Sequence, residues 1–173
     1  DIQNLVGLPY GELAYRIMQP LVGDAIDGPT LKRLIHEAYA SFDHVAITPL
    51  VQLDHHNWLL ELFHGPTLAF KDVALQLVGR LFDHVLQQRA ERVNILVATS
   101  GDTGSAAIHA IKGREAANIF VLHPKGRTSE IQRRQMTTVL DANVHNIAIE
   151  GTFDDCQTLV KTMFNHADFR TRA

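Results

Sequence analysis

The fold is decided by the stretch VNILVATSGDTGSAAIHAIK, residues 93–112. Its first part, Val93–Ala98, is a short apolar run, which is typical of a buried strand. The small and polar segment Thr99–Gly104 follows, and Ser105–Lys112 then carries apolar residues at helical spacing. The stretch therefore predicts a strand, a tight loop and a helix in that order.

The same alternation continues towards the carboxyl end of the chain. We predict strands at Asn118–Leu122 and Asn143–Ile149, and helices at Glu130–Leu140 and Thr152–Asn165. Alternating strands and helices form parallel sheets with right-handed crossovers, and strands that are apolar on both faces suit a sheet covered by helices on both faces. The predicted fold class is α/β.

The pattern before residue 93 is more mixed. Apolar residues at three- and four-residue steps predict a long amphipathic helix over about residues 70–89. Thr48–Leu53 and Trp58–Phe63 predict the two strands of a hairpin, the second of them buried. Gly11–Met18 and Thr30–Tyr39 also have helical spacing.

Composition excludes several classes of function. The 173 residues are 46% hydrophobic, with a net charge of −3 and a pI near 6.4, so no basic excess points to nucleic acid. The apolar runs are far shorter than the roughly 20 residues of a membrane helix. The ten histidines lack metal-ligand spacing, and Cys156 is the single cysteine, which we expect in the core. We therefore expect a cytoplasmic protein with no metal site and no membrane or nucleic-acid partner.

The loop Ser100–Gly104 is the first candidate for chemistry, because it joins the carboxyl end of a strand to the start of a helix. Open α/β sheets bind ligands at that edge, and free N–H groups at a helix start favour an anion. A carboxylate or a phosphate would fit. The alternative is a structural turn in which Asp102 or Thr103 caps the helix.

Lys71 is the second candidate, since it lies in the first turn of a largely apolar helix, after the loop His64–Thr67. A lysine that is desolvated near the positive end of a helix dipole has its neutral form favoured, which Schiff-base chemistry needs. The alternative is an ordinary solvated surface lysine.

The basic loop Pro124–Glu130 is the third candidate. It again follows a strand and precedes a helix, and it could hold a phosphate through Lys125, Arg127, Thr128 and Ser129. The alternative is an exposed loop in which Thr128 or Ser129 caps the next helix.

Two blocks, taken together, resemble one enzyme family. Leu60–Asp72, followed by Ala98–Ala107, is similar to the threonine synthases, and Gln135–His145 and Ile149–Gln157 agree with the same family. The resemblance runs from about residue 7 to the end of the chain. Two long motifs in the right order and spacing make it highly specific.

The resemblance implies a fold type II pyridoxal-phosphate enzyme of the tryptophan synthase β-like class, with two α/β domains. Residues 1–90 would belong to the larger cofactor domain, and residues 91–173 would form the smaller domain. Lys71 would bind the cofactor covalently, and Asp102 would lie near the phenolic oxygen of pyridoxal 5'-phosphate. The substrate amino acid would be lined by Thr99, Ser100, Gly101, Asp102, Thr103 and Gly104, with Ser100 and Thr103 on its carboxylate.

The implied reaction converts O-phospho-L-homoserine and water into L-threonine and phosphate. Lys71 would move the Cα proton as general base and acid. The departing phosphate needs positive or hydrogen-bonding groups, for which the candidates are Lys125, Arg127, Thr128 and Ser129.

Parts of the family pattern are absent from these residues. The glycine-rich loop that holds the cofactor phosphate and the hydroxyl residue near the pyridine nitrogen have no match here. We therefore expect a fragment that is inactive by itself, binds the cofactor weakly or not at all, and associates through apolar surface left exposed by truncation.

Two other classes of protein stay open at this point. Asp102-Thr103-Gly104-Ser105 also matches the aspartic-protease tetrapeptide, although those proteins are nearly all β and two carboxylates must share one proton. A fragmentary homologue that serves as a binding or scaffold module, without catalysis, is the non-enzyme alternative.

Overall fold

The computed structural model describes residues 2–172 and contains seven α-helices and five strands in that range. Short 3-10 helices occupy Ile2–Leu5 and Gly23–Ala25. The helices are α1 Tyr10–Val22, α2 Gly28–Tyr39, α3 Asp72–Arg89, α4 Asp102–Ile111, α5 Glu130–Thr137, α6 Phe153–Asn165 and α7 Ala167–Arg172. The strands are β1 Leu50–Gln52, β2 Trp58–Leu60, β3 Val93–Ala98, β4 Ala117–Pro124 and β5 Val144–Ile149.

The α/β prediction is confirmed: β3, β4 and β5 form a parallel sheet in that order, flanked by helices. The central strand β4 is buried along most of its length because side chains from both of its faces meet helices. Ile119 and Val121 share a core with Ile108 of α4 and Met136 of α5. This core fixes α4 and α5, and with them the loops that precede these helices.

Helix α3 joins two hydrophobic cores. Its residue Leu86 belongs to the core of the parallel sheet, and its residue Leu77 belongs to a second core formed with α1 and α2. Gly79 lets α3 approach α4 closely, since a Cβ atom at this position would lie 2.5 Å from the carbonyl oxygen of Ala110. The division of the chain at about residue 90 remains a prediction.

The predicted hairpin is confirmed in its topology and wrong in its burial. Strands β1 and β2 pair in antiparallel register, with Leu50 opposite Leu60. The second strand is not buried, because Trp58 is 54% exposed and Leu60 is 52% exposed. The prediction of burial, which rested on the apolar residues of this strand, was therefore wrong.

Helix α4 begins at Asp102, three residues before the predicted start. The residue before it is Gly101, whose φ of 149° is open to glycine and strained for other residues. Neither Asp102 nor Thr103 caps the helix, so that alternative was wrong. Ser129, by contrast, caps α5 in a reciprocal capping box with Gln132, as one alternative predicted.

The architecture also excludes the aspartic-protease interpretation. The Asp102–Gly104 segment opens a helix next to a parallel strand, whereas the protease site requires a nearly all-β framework. Among the helices of residues 2–172, none combines the length and apolar character needed to cross a membrane.

Candidate active site at the carboxyl edge of the sheet

The candidate site lies where the three parallel strands end. The backbone N–H of Thr99 donates to the carbonyl of Leu122 (2.9 Å), and that of Lys125 donates to the carbonyl of Ile149 (2.8 Å). The loops after β3, β4 and β5 therefore start side by side at one edge of the sheet. Parallel α/β sheets bind their ligands at this edge.

Thr99 holds the first loop in shape. Its side chain is buried, and its hydroxyl oxygen accepts hydrogen bonds from the backbone N–H groups of Gly101 (3.0 Å) and Gly104 (2.9 Å). Two N–H groups that could have faced an anion are thus bound to protein. The first-turn N–H groups of Asp102 and Thr103 have no acceptor within the helix, so they are the donors left for a ligand.

The remaining residues of this loop differ in their exposure to solvent. Ser100 and Asp102 are exposed, Thr103 is half-buried, and Gly104 is buried against Thr99 and Met136. A Cβ atom at Gly104 would lie 2.6 Å from the Thr99 methyl group, so only glycine fits here without a shift. Glycine is therefore needed at this position for α4 to pack, whatever the loop binds.

Lys71 and Thr103 lie on the wall of one cavity of about 510 Å³. The other lining residues are apolar: Leu62, Phe70, Val73, Ala74 and Leu75. Lys71 is half-buried, with its Nζ atom 4.5 Å from the centre of the Phe70 ring. The structure thus brings two of the three candidate segments, which are distant in the sequence, to one apolar cavity.

A buried carboxylate organises the loop that precedes Lys71. Asp72 is fully buried, and its oxygen Oδ2 accepts hydrogen bonds from the backbone N–H and the hydroxyl of Thr67, while Oδ1 accepts from Nε2 of Gln76 (3.1 Å). Leu68 adopts a left-handed backbone conformation, with φ of 62°. Such a conformation costs energy in a non-glycine residue and persists where the surrounding contacts hold it.

The basic loop of residues 125–129 lies at the same edge, but none of its residues lines the cavity of Lys71 in the part of the chain described. Lys125 is exposed and pairs with Glu150, with 2.7 Å between Nζ and Oε1. Arg127 is exposed, and Thr128 is half-buried. Ser129 uses its hydroxyl to accept from the backbone N–H of Gln132.

Four residues near the site were missed by the sequence interpretation: Asp72, His123, Gln132 and Gln135. The side chain of Gln132 donates to Asp102, and that of Gln135 donates to the carbonyl of Thr67. A signal for the two glutamines existed, because they lie on the same helical face as the apolar residue Met136. Polar residues on a face that packs against the core call for a partner.

His123 gave no signal in the sequence. It lies next to the carboxyl end of β4, is 5% exposed, and its Nδ1 atom has no hydrogen-bond partner among the described residues. Burial lowers the pKa of His123, and the nearby Arg133 acts in the same direction. A neutral imidazole is therefore favoured at this edge of the sheet.

Comparisons with known proteins agree on one family. The family model of pyridoxal-phosphate dependent enzymes matches residues 42–170. The chain is 57% identical over 169 residues to a threonine synthase of Pseudomonas aeruginosa, covering 98% of the chain and 36% of that relative. It is 44% identical over 178 residues to a threonine synthase of Saccharomyces cerevisiae, covering 95% of the chain and 35% of that relative.

Solved structures show the same likeness. A structure of pyridoxal-phosphate-bound threonine synthase from Brucella melitensis matches with a TM-score of 0.92 and 53% identity, over 96% of this chain and 36% of that one. The yeast threonine synthase matches with a TM-score of 0.90 and 42% identity, over 98% of this chain and 36% of that one. The chain thus spans little more than a third of the length of the relatives that it matches.

Proposed function

This chain belongs to the family of pyridoxal-phosphate-dependent enzymes, and from that premise we propose that it is the part of a threonine synthase that carries the cofactor lysine and the substrate loop. The whole enzyme would convert O-phospho-L-homoserine and water into L-threonine and phosphate. Support comes from the names of the relatives, which are threonine synthases in both comparisons. Lys71 is the residue proposed to bind pyridoxal 5'-phosphate.

One observation carries the proposal: Lys71 and Thr103 line the same cavity of about 510 Å³. That volume lies within the ordinary range of small-molecule sites. The apolar walls formed by Leu62, Phe70 and Val73 suit the faces of a planar aromatic ring, and Lys71 supplies the amine that the cofactor's aldehyde requires. The residues present therefore fit this part of the cofactor.

The cofactor, when bound, supplies an electron sink that makes the proton on the substrate Cα acidic. Several residues of this chain are proposed to contribute to the reaction. Lys71 is proposed to take up and return the Cα proton, because its amine and Thr103 of the substrate loop line the same cavity. The N–H groups of Asp102 and Thr103, at the positive end of α4, are proposed to bind the substrate carboxylate with the hydroxyl of Ser100.

The other members of the loop have supporting roles in this proposal. Thr99 shapes the loop through the two hydrogen bonds that its hydroxyl accepts. Gly101 and Gly104 let the backbone of the loop lie close to the side chains of Gln132 and Met136. Asp102 is proposed to face the phenolic oxygen of the cofactor.

Release of phosphate from the substrate Cγ requires stabilisation of the developing negative charge. We assign this role to the loop of Lys125, Arg127, Thr128 and Ser129. The positive charge of this loop supports the assignment. So does its position, since it lies at the same sheet edge as the substrate loop. Lys125 would have to exchange Glu150 for phosphate, which an exposed ion pair allows at small cost.

The activity is assigned to the longer protein, because the chain spans about a third of its relatives. We propose that this stretch alone is inactive and binds the cofactor weakly. Residues 1–90 are assigned to the cofactor domain, and residues 91–173 to the smaller domain. A cytoplasmic location fits the single cysteine, and exposed apolar residues such as Trp58 and Leu68 support self-association of the isolated stretch.

The experiment that tests the proposal is covalent labelling of the full-length protein. Pyridoxal phosphate is added, a shift of its visible absorption band is recorded, and borohydride reduction followed by peptide mapping locates the linked lysine. A single label at Lys71, and threonine formation from O-phospho-L-homoserine, are expected. Lys71→Ala should lose both, while Lys112→Ala, which changes an exposed lysine in the turn after α4, should keep both.

Two results would contradict the proposal. A label elsewhere in the full-length protein would overturn the role of Lys71. A full-length protein that binds no cofactor and forms no threonine would favour the alternative of a binding or scaffold module.

A further inference from the structure

Helix α5 presents three residues on one face: Gln132, Gln135 and Met136, spaced i, i+3 and i+4. Met136 is fully buried in the core of the sheet and packs beneath Gly104, where a Cβ atom would lie 2.8 Å from its sulfur. The buried methionine anchors the helix against α4. The two glutamines are consequently held at defined positions above that core.

Gln132 is fixed at both ends of its side-chain amide. Its Nε2 group donates to Oδ1 of Asp102 at 2.7 Å, and its Oε1 atom accepts from the backbone N–H of Ser129 at 3.2 Å. The contact with the substrate loop is close, since a Cβ atom at Gly101 would lie 2.3 Å from Cδ of Gln132. The amide thus sets the direction in which the Asp102 carboxylate points.

Gln135 connects α5 to the loop that precedes Lys71. Its Nε2 group donates to the carbonyl of Thr67 at 2.9 Å, across 68 positions of the sequence. The N–H and hydroxyl of Thr67 are held in turn by Asp72, the residue after Lys71. One turn of α5 therefore connects the loop before Lys71 with the loop that contains Asp102.

Resting on the proposed function, we infer that Gln132 and Gln135 are positioning residues for the reaction. Gln132 fixes the carboxylate of Asp102, which the proposed function assigns to the phenolic oxygen of the cofactor, and Gln135 fixes the carbonyl of Thr67 in the loop before Lys71. A neutral amide suits this task, because it donates a hydrogen bond to the carboxylate without adding charge. A carboxylate in place of Gln132 would repel Asp102 unless the pair shares a proton.

The test uses the full-length holoenzyme and the variants Gln132→Glu, Gln132→Ala and Gln135→Ala. Loss of the hydrogen bond from Gln132 to the carboxylate corresponds to a fall of roughly 10- to 100-fold, and loss of the bond from Gln135 to a neutral carbonyl to a fall of roughly 2- to 10-fold. We expect both in kcat more than in KM. Gln132→Glu should recover activity as the pH falls, because a protonated glutamic acid again donates to Asp102. Arg134→Gln, a change at an exposed position of the same helix, should keep the wild-type rate and pH profile.

The second readout is hydrogen exchange of the cofactor-free protein, which does not depend on catalysis. Gln132→Ala should speed amide exchange in residues 99–104, and Gln135→Ala should speed it in residues 65–71. Unchanged exchange in both loops would overturn the inference, even in an active threonine synthase. So would a Gln132→Glu variant whose pH profile follows the wild type. Failure of the wild-type protein to bind cofactor would instead refute the proposed function, while the exchange result still decides the positioning roles.

Discussion

The carboxylate of Asp72 accepts hydrogen bonds from both the backbone N–H and the hydroxyl of Thr67, at 2.7 and 2.8 Å. Asp72 is fully buried and immediately follows Lys71, so these two bonds fix the course of the loop that presents the lysine. Gly65 leaves the room that this arrangement needs, because a Cβ atom there would lie 2.4 Å from the Asp72 Cβ.

Removal of the Asp72 carboxylate should destabilise the fold. Asp72→Ala leaves buried donors of Thr67 and Gln76 without their acceptor, and we expect a loss of about 2–4 kcal/mol in the free energy of unfolding. Urea unfolding measures it, with Asp24→Ala as the control at an exposed carboxylate. Equal stability of the two variants would contradict the structural role of Asp72.

Lys71→Ala should affect cofactor binding and leave the stability of the fold almost unchanged. Its side chain is half-buried and packs over the Phe70 ring, so the free energy of unfolding should change by less than ~1 kcal/mol. The covalent cofactor label should nevertheless disappear. Comparison of urea unfolding with labelling separates the two effects, and a strongly destabilised variant would show that Lys71 serves the fold.

Replacement of two helical glycines by alanine should change the stability of the protein in opposite directions. Gly79→Ala places a methyl group 2.5 Å from the Ala110 carbonyl oxygen, and overpacking of this kind costs about 1–3 kcal/mol. At Gly11 the nearest atom, Cγ2 of Ile35, is 4.0 Å away, so Gly11→Ala should stabilise the protein by roughly 0.5 kcal/mol through helix propensity. Thermal unfolding of both variants measures the two effects, and a Gly79→Ala variant as stable as the wild type would contradict the close packing of α3 on α4.

His64 should stabilise the fold in a pH-dependent manner. Its ring nitrogens contact Glu61 (2.7 Å) and Asp43 (3.0 Å), and these carboxylates raise the pKa of His64. The imidazolium therefore stabilises the fold fully below the unfolded pKa of about 6.5. This contribution is lost as the pH rises through the higher folded pKa.

Urea unfolding of the wild type and of His64→Gln at several pH values measures this contribution. The stability difference should be larger near pH 6 than near pH 9. His55→Gln, at an exposed position in the hairpin turn, is the matched control for replacing a histidine by glutamine. A His64→Gln difference that stays constant with pH would contradict the paired imidazolium.

Cys156 should be unreactive in the folded protein. Its side chain is fully buried in α6, and burial raises the pKa of the thiol, so little reactive thiolate forms near neutral pH. A thiol reagent such as dithiobisnitrobenzoate should label it only as fast as the protein unfolds. Rapid labelling under native conditions would show that α6 is not packed as described.

Local patterns were enough to predict much of the fold. The strand at Val93–Ala98 was predicted with its observed bounds, and the other two parallel strands were located to within a few residues. Prediction was less accurate where tertiary contacts determine the burial or the bounds of an element. The apolar strand Trp58–Leu60 is exposed, and α4 starts earlier than predicted because Gly101 makes the sharp turn.

The sequence by itself determined the α/β class, the order of strands and helices, and the two motifs with Lys71 and Ser100–Gly104, because periodicity and motif spacing are local properties of the chain. Only the tertiary structure decided that Lys71 and Thr103 share a cavity, and that α5 contacts Asp102 through Gln132 and Thr67 through Gln135. Such contacts join residues 30 to 68 positions apart, and they exist because the core around Met136 fixes how the helices pack. A one-dimensional pattern contains no such distances.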